Sequence, residues 1–403
     1  MSSTINKDKL ISILFSIPIL WMATGMLWDG DGDMRLVPIV LLVVMISLLF
    51  LKIDNIKKNF KNNFWLKLIL INSSFGVIAY LCYGFDSREL RATLVVLFLF
   101  LAMPIDLLSK KNIRYFIFIS SLTCFLYGFY FQVLNHSARG VWPINAIPFA
   151  TISGLISIIS FVSLFSKNEK NNYFISLMSL IFSFGGIILS QSRGPLLSVM
   201  IIFFVITFLF LFVKKKKHTV VFIFSFIFIS FCLTKVPLIS QRLDNTYDEY
   251  NKIRVGNLNT SIGMRFQMQN IAFELWKQKP ILGYGKNIKR EFARLEKKKI
   301  ITPKVYRLIS MTFHNGYLDK FVLYGIPGGL IFLTFLFYPI YLSRQYSLKE
   351  GSALLWAPAL FMILCNLTDA PFINAQAAIY YMFIIGAVSM MLKNEKEQRL
   401  ENV

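Results

Sequence analysis

The chain has 403 residues, 56% of them hydrophobic and only 16% charged, with a mean hydropathy of +0.58. A soluble protein of this length carries far more charge, so a large separate soluble domain is excluded and the bilayer takes the place of an ordinary core. The formal net charge of +22 does not point to nucleic acid, because the Lys and Arg residues sit in short clusters between apolar runs and not on one continuous face.

A spanning helix needs about 20 mostly apolar residues. In chain order the apolar runs predict helices over 10–27, 36–51, 64–83, 92–109, 115–134, 146–166, 174–190, 195–213, 219–234, 320–342, 353–368 and 376–392. Lys7 and Lys9 precede the first run, and no small-residue cleavage site follows, so it reads as a retained helix. With the N-terminus in the cytoplasm, the inside segments are the two termini, 52–63, 110–114, 167–173, 214–218 and 343–352. These hold twenty Lys or Arg, against five in the short outside loops (Arg35, Arg88, Arg91, Arg139 and Arg193). That bias places both termini in the cytoplasm.

The exception is 235–318, between the ninth and tenth runs. It is too polar to span, too long for a turn, and falls on the non-cytoplasmic side. Within it Met264, Met268, Ile271, Ala272, Leu275 and Trp276 recur at helical spacing until Pro280. Ile288, Phe292 and Leu295 mark a second face, ringed by Lys289, Arg290, Arg294 and Lys297. Both read as amphipathic helices lying on the membrane face or on the bundle. No internal repeat and no Gly/Ser-rich linker divides 1–403, which reads as a single integral membrane domain. Cys82, Cys124, Cys232 and Cys365 have no CxxC spacing and read as small buried hydrophobes.

Arginines outside the cytoplasm oppose the positive-inside bias, so each needs a reason. Arg193, in Gln191-Ser192-Arg193-Gly194-Pro195 between two apolar runs, is placed to meet a phosphate at the mouth of the bundle, or else to snorkel. Arg139 follows Asn135-His136-Ser137-Ala138 and either joins the same face or is an ordinary loop charge. Arg265 lies in the first turn of the amphipathic helix that Thr260 or Ser261 can cap, where an anion is favoured, or else it is a solvated face charge. His314 stands in Thr312-Phe313-His314-Asn315-Gly316, where the chain re-enters the membrane. A helix N-terminus with arginines nearby favours the neutral imidazole, which can accept a proton; the alternative is a capping histidine. His136 lies in a short loop, and His218 follows the cytoplasmic lysines. Lys297-Lys298-Lys299, with Lys304 and Arg307, reads either as a patch for a polyanionic acceptor or anionic lipid, or as a solvated face. No metal-ligand spacing occurs. Trp28-Asp29-Gly30-Asp31-Gly32-Asp33 lacks the downstream Glu of a calcium loop.

These pieces together resemble the bacterial O-antigen ligases, within the wider group of O-antigen ligases and polymerases. The resemblance runs through Ser192-Arg193-Gly194, Gln241-Arg242-Leu243 to Tyr250, Thr260-Ser261-Ile262-Gly263-Met264-Arg265 and Pro280-Ile281-Leu282-Gly283-Tyr284-Gly285. It continues through His314-Asn315-Gly316-Tyr317-Leu318 and Gly325-Ile326-Pro327-Gly328, with a late Asp369 in a short outside loop. It implies an all-α polytopic, GT-C-like membrane glycosyltransferase with about 12 spans, both termini cytoplasmic and one long periplasmic loop. Such enzymes sit in the bacterial inner membrane. They move a polysaccharide from undecaprenyl pyrophosphate to lipid A–core on the periplasmic face, completing lipopolysaccharide, and use no metal or other cofactor.

Carried onto this chain, Arg193, Arg265 and His314 become the catalytic set. Arg139, Asn315, Lys298 and Asp369 join the substrate contacts, and membrane lipid is the remaining partner. His314 as general base and direct displacement with inversion follow as the expected mechanism. An O-antigen polymerase is the near alternative and a transporter or flippase the distant one; related halves, expected of a transporter, are not seen.

Overall fold

The computed structural model describes residues 7–84, 87–165, 170–212, 237–346 and 350–401, and among these it is helical with no strand. The first half runs α1 (Lys7–Ala23), the single turn α2 (Gly25–Trp28), α3 (Gly32–Phe50), α4 (Lys52–Asn62), α5 (Phe64–Tyr83), α6 (Ser87–Ala102), α7 (Lys110–Phe129), α8 (Ala146–Ser163), α9 (Lys170–Ser190) and α10 (Arg193–Phe212). The second half runs α11 (Pro237–Arg254), α12 (Ser261–Gln278), α13 (Ile288–Lys297), α14 (Pro303–Ile309), α15 (Gly316–Ser343), α16 (Glu350–Thr368) and α17 (Ala375–Glu401).

Ten helical segments among the described residues are long and apolar enough to cross a membrane, and they coincide with ten of the twelve expected runs. The chain is therefore a multi-pass membrane protein. The run at 219–234 lies outside the described residues, as do Lys214–Lys217, His218 and Cys232. Residues 375–392 of α17 are buried throughout, so this stretch is the centre of the bundle, while α3 and α5 present apolar side chains outward. Cys124 and Cys365 are buried as expected, but Cys82 is exposed on the outer part of α5.

The run expected at 92–109 differs. Its helix, α6, starts five residues earlier, at Ser87, and stops at Ala102, ahead of Pro104. Side chains from neighbouring helices meet the carbonyls freed at that stop. Asn59 Nδ2 donates to the oxygens of Phe100 (3.1 Å), Leu101 (3.1 Å) and Met103 (2.8 Å). Asn55 Nδ2 and Ser47 Oγ each donate to Ala102 O at 3.0 Å. A helix end inside a bundle needs such partners, because no water is there to supply them. At its other end α6 carries charge into the bundle. Arg91 Nε donates to Asp33 Oδ2 at 2.8 Å, and Glu89 pairs with Lys320 of α15, both nearly buried.

Helix α15 is broken at Gly325, where φ is +62°. The Pro280–Tyr284 turn fills the break. Tyr284 N–H donates to Val322 O and Ile326 N–H donates to Pro280 O, both at 2.9 Å. Gly283, itself at φ +70°, lies so close that an added Cβ would fall 2.6 Å from Leu323 O; at Gly325 a Cβ would fall 2.0 Å from Ile281 O. Two glycine turns thus clasp each other, and the backbone groups freed by the kink are paired. Gly325→Ala combines the strain of a backbone conformation that glycine alone adopts readily, about 1–3 kcal/mol, with a backbone clash. It is expected to lower the melting temperature of the detergent-solubilised protein, followed by circular dichroism; an unchanged melt would show that the clasp does not stabilise the fold.

The segment from α12 to α15 has a core of its own. Met264, Met268, Ala272 and Leu275 of α12 meet Ile288 and Phe292 of α13, Val305 and Ile309 of α14, and Phe313. The two predicted amphipathic faces therefore pack on each other and on α15, where Trp276 meets Phe321 edge-on at 5.7 Å. The polar face of α13 stays outward.

Candidate functional site

His314 is held in an unusual backbone conformation, φ +53°, by a clamp of polar groups. Asp319, only 3% exposed, accepts from Thr312 Oγ1 at 2.6 Å and from Phe313 N at 3.0 Å. Thr312 Oγ1 in turn accepts from His314 N at 3.0 Å. A non-glycine residue in this region costs about 1–3 kcal/mol and persists where its surroundings fix it, most often at functional sites. Phe292 of α13 packs edge-on against Phe313 at 5.7 Å, closing the turn from behind. Asn315 caps α15, its Oδ1 accepting from the N–H groups of Tyr317 and Leu318 at 3.1 Å.

The C-terminal end of α16 meets this turn. Gly316 N donates to Asp369 O at 3.0 Å, and a Cβ on Gly316 would collide with Asn366 Oδ1 at 1.9 Å, so only glycine lets the two ends approach. That approach sets the central contact of the site. His314 Nδ1 lies 2.9 Å from Asp369 Oδ1, with both side chains largely but not wholly buried. A ring nitrogen facing a carboxylate carries the proton, which leaves Nε2 as the acceptor. The sequence shows both residues but not this pairing.

Arg193 opens α10, which touches α16 beside Asp369: a Cβ on Gly194 would lie 2.8 Å from Thr368 Oγ1. Its Nη1 donates to Glu249 Oε1 of α11 at 3.1 Å, and Glu249 Oε2 accepts from Ile262 N at the start of α12 at 2.9 Å. The chain's own carboxylate thus bridges a guanidinium and a helix N-terminus. Glu249 is absent from the sequence reading; the only hint was its place in the run from Gln241 to Tyr250. Thr260 is the cap of α12, accepting from Gly263 N at 3.0 Å. Arg265, the fifth residue of α12, is half-buried and its side chain has no hydrogen-bond or ion-pair partner among the described residues.

Arg139 braces the turn that presents Arg193. Its Nε donates to Ser190 O and its Nη2 to Ser192 Oγ, both at 2.9 Å, across Gln191 at φ +54°. Lys298 is exposed at the end of α13, and among the described residues no hydrogen bond or ion pair joins its side chain to Thr312, Asp319, His314 or Asp369. Sequence reading missed Asp319, Thr312, Glu89 and Lys320 as well as Glu249. Among the described residues no group of three or more His, Cys, Asp or Glu side chains is gathered as for a metal ion.

Removing Asp319 leaves the Phe313 N–H and the Thr312 hydroxyl without their buried acceptor. If His314 must be held in place for turnover, Asp319→Ala is expected to lower activity by up to about 10²-fold, the cost of an ångström-scale misplacement. Activity equal to wild type would show the clamp to be dispensable.

Residues 178–333 match a family model described as O-antigen ligase. The matched region runs from α9 through the clasp in α15 and takes in Arg193, Glu249, Arg265 and His314, but not Arg139 or Asp369. No curated protein sequence matches the chain.

Proposed function

We infer that this chain, an O-antigen ligase family member through residues 178–333, transfers a polysaccharide from undecaprenyl pyrophosphate to a lipid A–core acceptor on the periplasmic face of the inner membrane. The observation that carries the reading is the His314–Asp369 contact, held on a strained turn that a buried carboxylate clamps.

The orientation has physical support. Asn59 of the lysine-rich α4 reaches the C-terminal end of α6, whereas Glu89 near its N-terminal end pairs with Lys320, six residues after His314. The lysine-rich face and the site therefore lie at opposite ends of α6, which with the positive-inside bias supports a site outside the cytoplasm.

The step assigned to the site is a displacement at the anomeric carbon of the donor. An acceptor hydroxyl attacks that carbon, the carbon–oxygen bond to the pyrophosphate breaks, and the electron pair leaves with the lipid pyrophosphate. The hydroxyl proton passes to His314 Nε2, and Asp369 stabilises the imidazolium. Arg265, without a protein partner among the described residues, faces the growing charge of the leaving group. Arg193 assists where the pyrophosphate competes with Glu249 for its guanidinium. Attack from the opposite side gives inversion.

The test is deletion of the gene and analysis of the cell's lipopolysaccharide beside cells rescued with wild type or His314→Ala. Bare lipid A–core with accumulated lipid-linked polymer, restored by wild type and not by the variant, is the expected result. Core bearing a single repeat unit would instead make the protein a polymerase.

A further inference from the structure

The clasp between the Pro280–Tyr284 turn and the break in α15 fixes how deep the turn sits. Of the 28 residues of α15, Asp319 and Lys320 lie near the start, and the run 321–343 carries no charge. At about 1.5 Å per residue that run is long enough to cross a hydrocarbon layer of about 30 Å. Gly325 is about one helical turn inside it. A second helix gives the same depth: Tyr324 packs on Ala79 and Phe75 of α5, a turn or two from the end of α5 at Tyr83. The turn that pairs with Val322 and Ile326 is therefore level with the edge of the hydrocarbon.

At this depth the turn presents two large apolar side chains to the outside. Ile281 is 67% exposed and Leu282 59%. They are continuous with the outward stripe of α15, because Ile326, bonded through its N–H to Pro280 O, is exposed together with Leu330 and Phe337. Lysines border the patch, as they do where stems lie in lipid and heads reach the surface: Lys277 Nζ is 4.4 Å from the Phe273 ring centre and Lys279 Nζ 4.7 Å from that of Tyr284.

We propose that the Pro280–Gly283 turn is inserted into the edge of the bilayer, with lipid acyl chains covering Ile281 and Leu282, and so anchors the segment from α11 to α14 at a fixed height. The inference requires that α15 spans the membrane and is independent of the reaction catalysed.

The test is site-directed spin labelling of Leu282→Cys and, separately, Ile281→Cys in the full-length protein with its native cysteines replaced. The protein is reconstituted in vesicles of phosphatidylethanolamine and phosphatidylglycerol. Collisions with oxygen are expected to exceed collisions with a water-soluble nickel chelate, as at the control Leu330→Cys, and the order is expected to reverse at Lys298→Cys. Nickel collisions at Leu282 and Ile281 matching those at Lys298 would overturn the proposal. Low collision rates with both reagents would overturn it equally, since they would place the turn against protein. Because the readout is not activity, its failure would leave the transfer reaction untouched.

Discussion

Replacing His314 by alanine is expected to lower the rate of polysaccharide transfer by about 10²–10⁴-fold, the usual worth of a general base. On the proposed mechanism the loss should fall on kcat, because there the group acts on the proton as the bond forms. Asp369→Asn separates the two halves of the pair. An amide still accepts a bond at 2.9 Å and still holds the ring, but carries no charge to stabilise the imidazolium. Its kcat should fall between those of wild type and His314→Ala, while donor KM stays near the wild-type value. Transfer kinetics on reconstituted protein measure both. Full activity in His314→Ala would remove the general base and with it the mechanism.

Arg265→Ala is the second large effect. Removing one group that stabilises charge in a transition state costs about 10²–10³-fold. Among the described residues Arg265 has no ion-pair or hydrogen-bond partner, so its removal there strands no buried carboxylate. The variant should therefore melt like wild type while losing transfer, and Arg265→Lys should recover part of the rate, since charge survives but the planar fork does not. Arg139→Ala is expected to behave in the opposite way. Its guanidinium bonds Ser190 O and Ser192 Oγ, so the variant should melt lower through the loosened 190–192 turn. A loss of stability in Arg265→Ala equal to that in Arg139→Ala would assign Arg265 to the fold and not to the chemistry.

Much of this architecture is legible in the sequence because hydropathy and helical spacing are local signals. The stripe Met264, Met268, Ala272 and Leu275, the face Ile288 and Phe292, and the cap at Thr260 all follow from residues within a few positions of each other. What sequence spacing does not contain is which distant residue closes a contact. His314 and Asp369 are 55 residues apart, and Arg193 and Glu249 are 56. The first pair meets because glycine at 316 lets two helix ends approach, while Gly194 lets α10 approach α16 at Thr368. The early end of α6 was hidden for the same reason. Its apolar run continues to Leu108, while the partners of its last carbonyls lie on α3 and α4, at Ser47, Asn55 and Asn59. The motifs Pro280–Gly285 and Gly325–Gly328 were visible separately, but not that one is the lock of the other.

The clasp also divides the chain into a part that must stay constant and a part free to change. Tyr284 and Val322 are tied together by their backbones, so the excursion between them begins and ends at one point whatever its length. Near its return the excursion carries the Thr312–Asp319 clamp, which cannot shift without releasing His314. Its outer portion, the exposed face of α13 and the Lys298–Ile300 corner, has no such tether to the site. Insertions, deletions and charge changes there alter what the protein shows to its surroundings without moving the reactive groups. On the proposed function, such a fold can be retuned to a different acceptor surface while the same chemistry is kept, as an interchangeable head on a fixed handle.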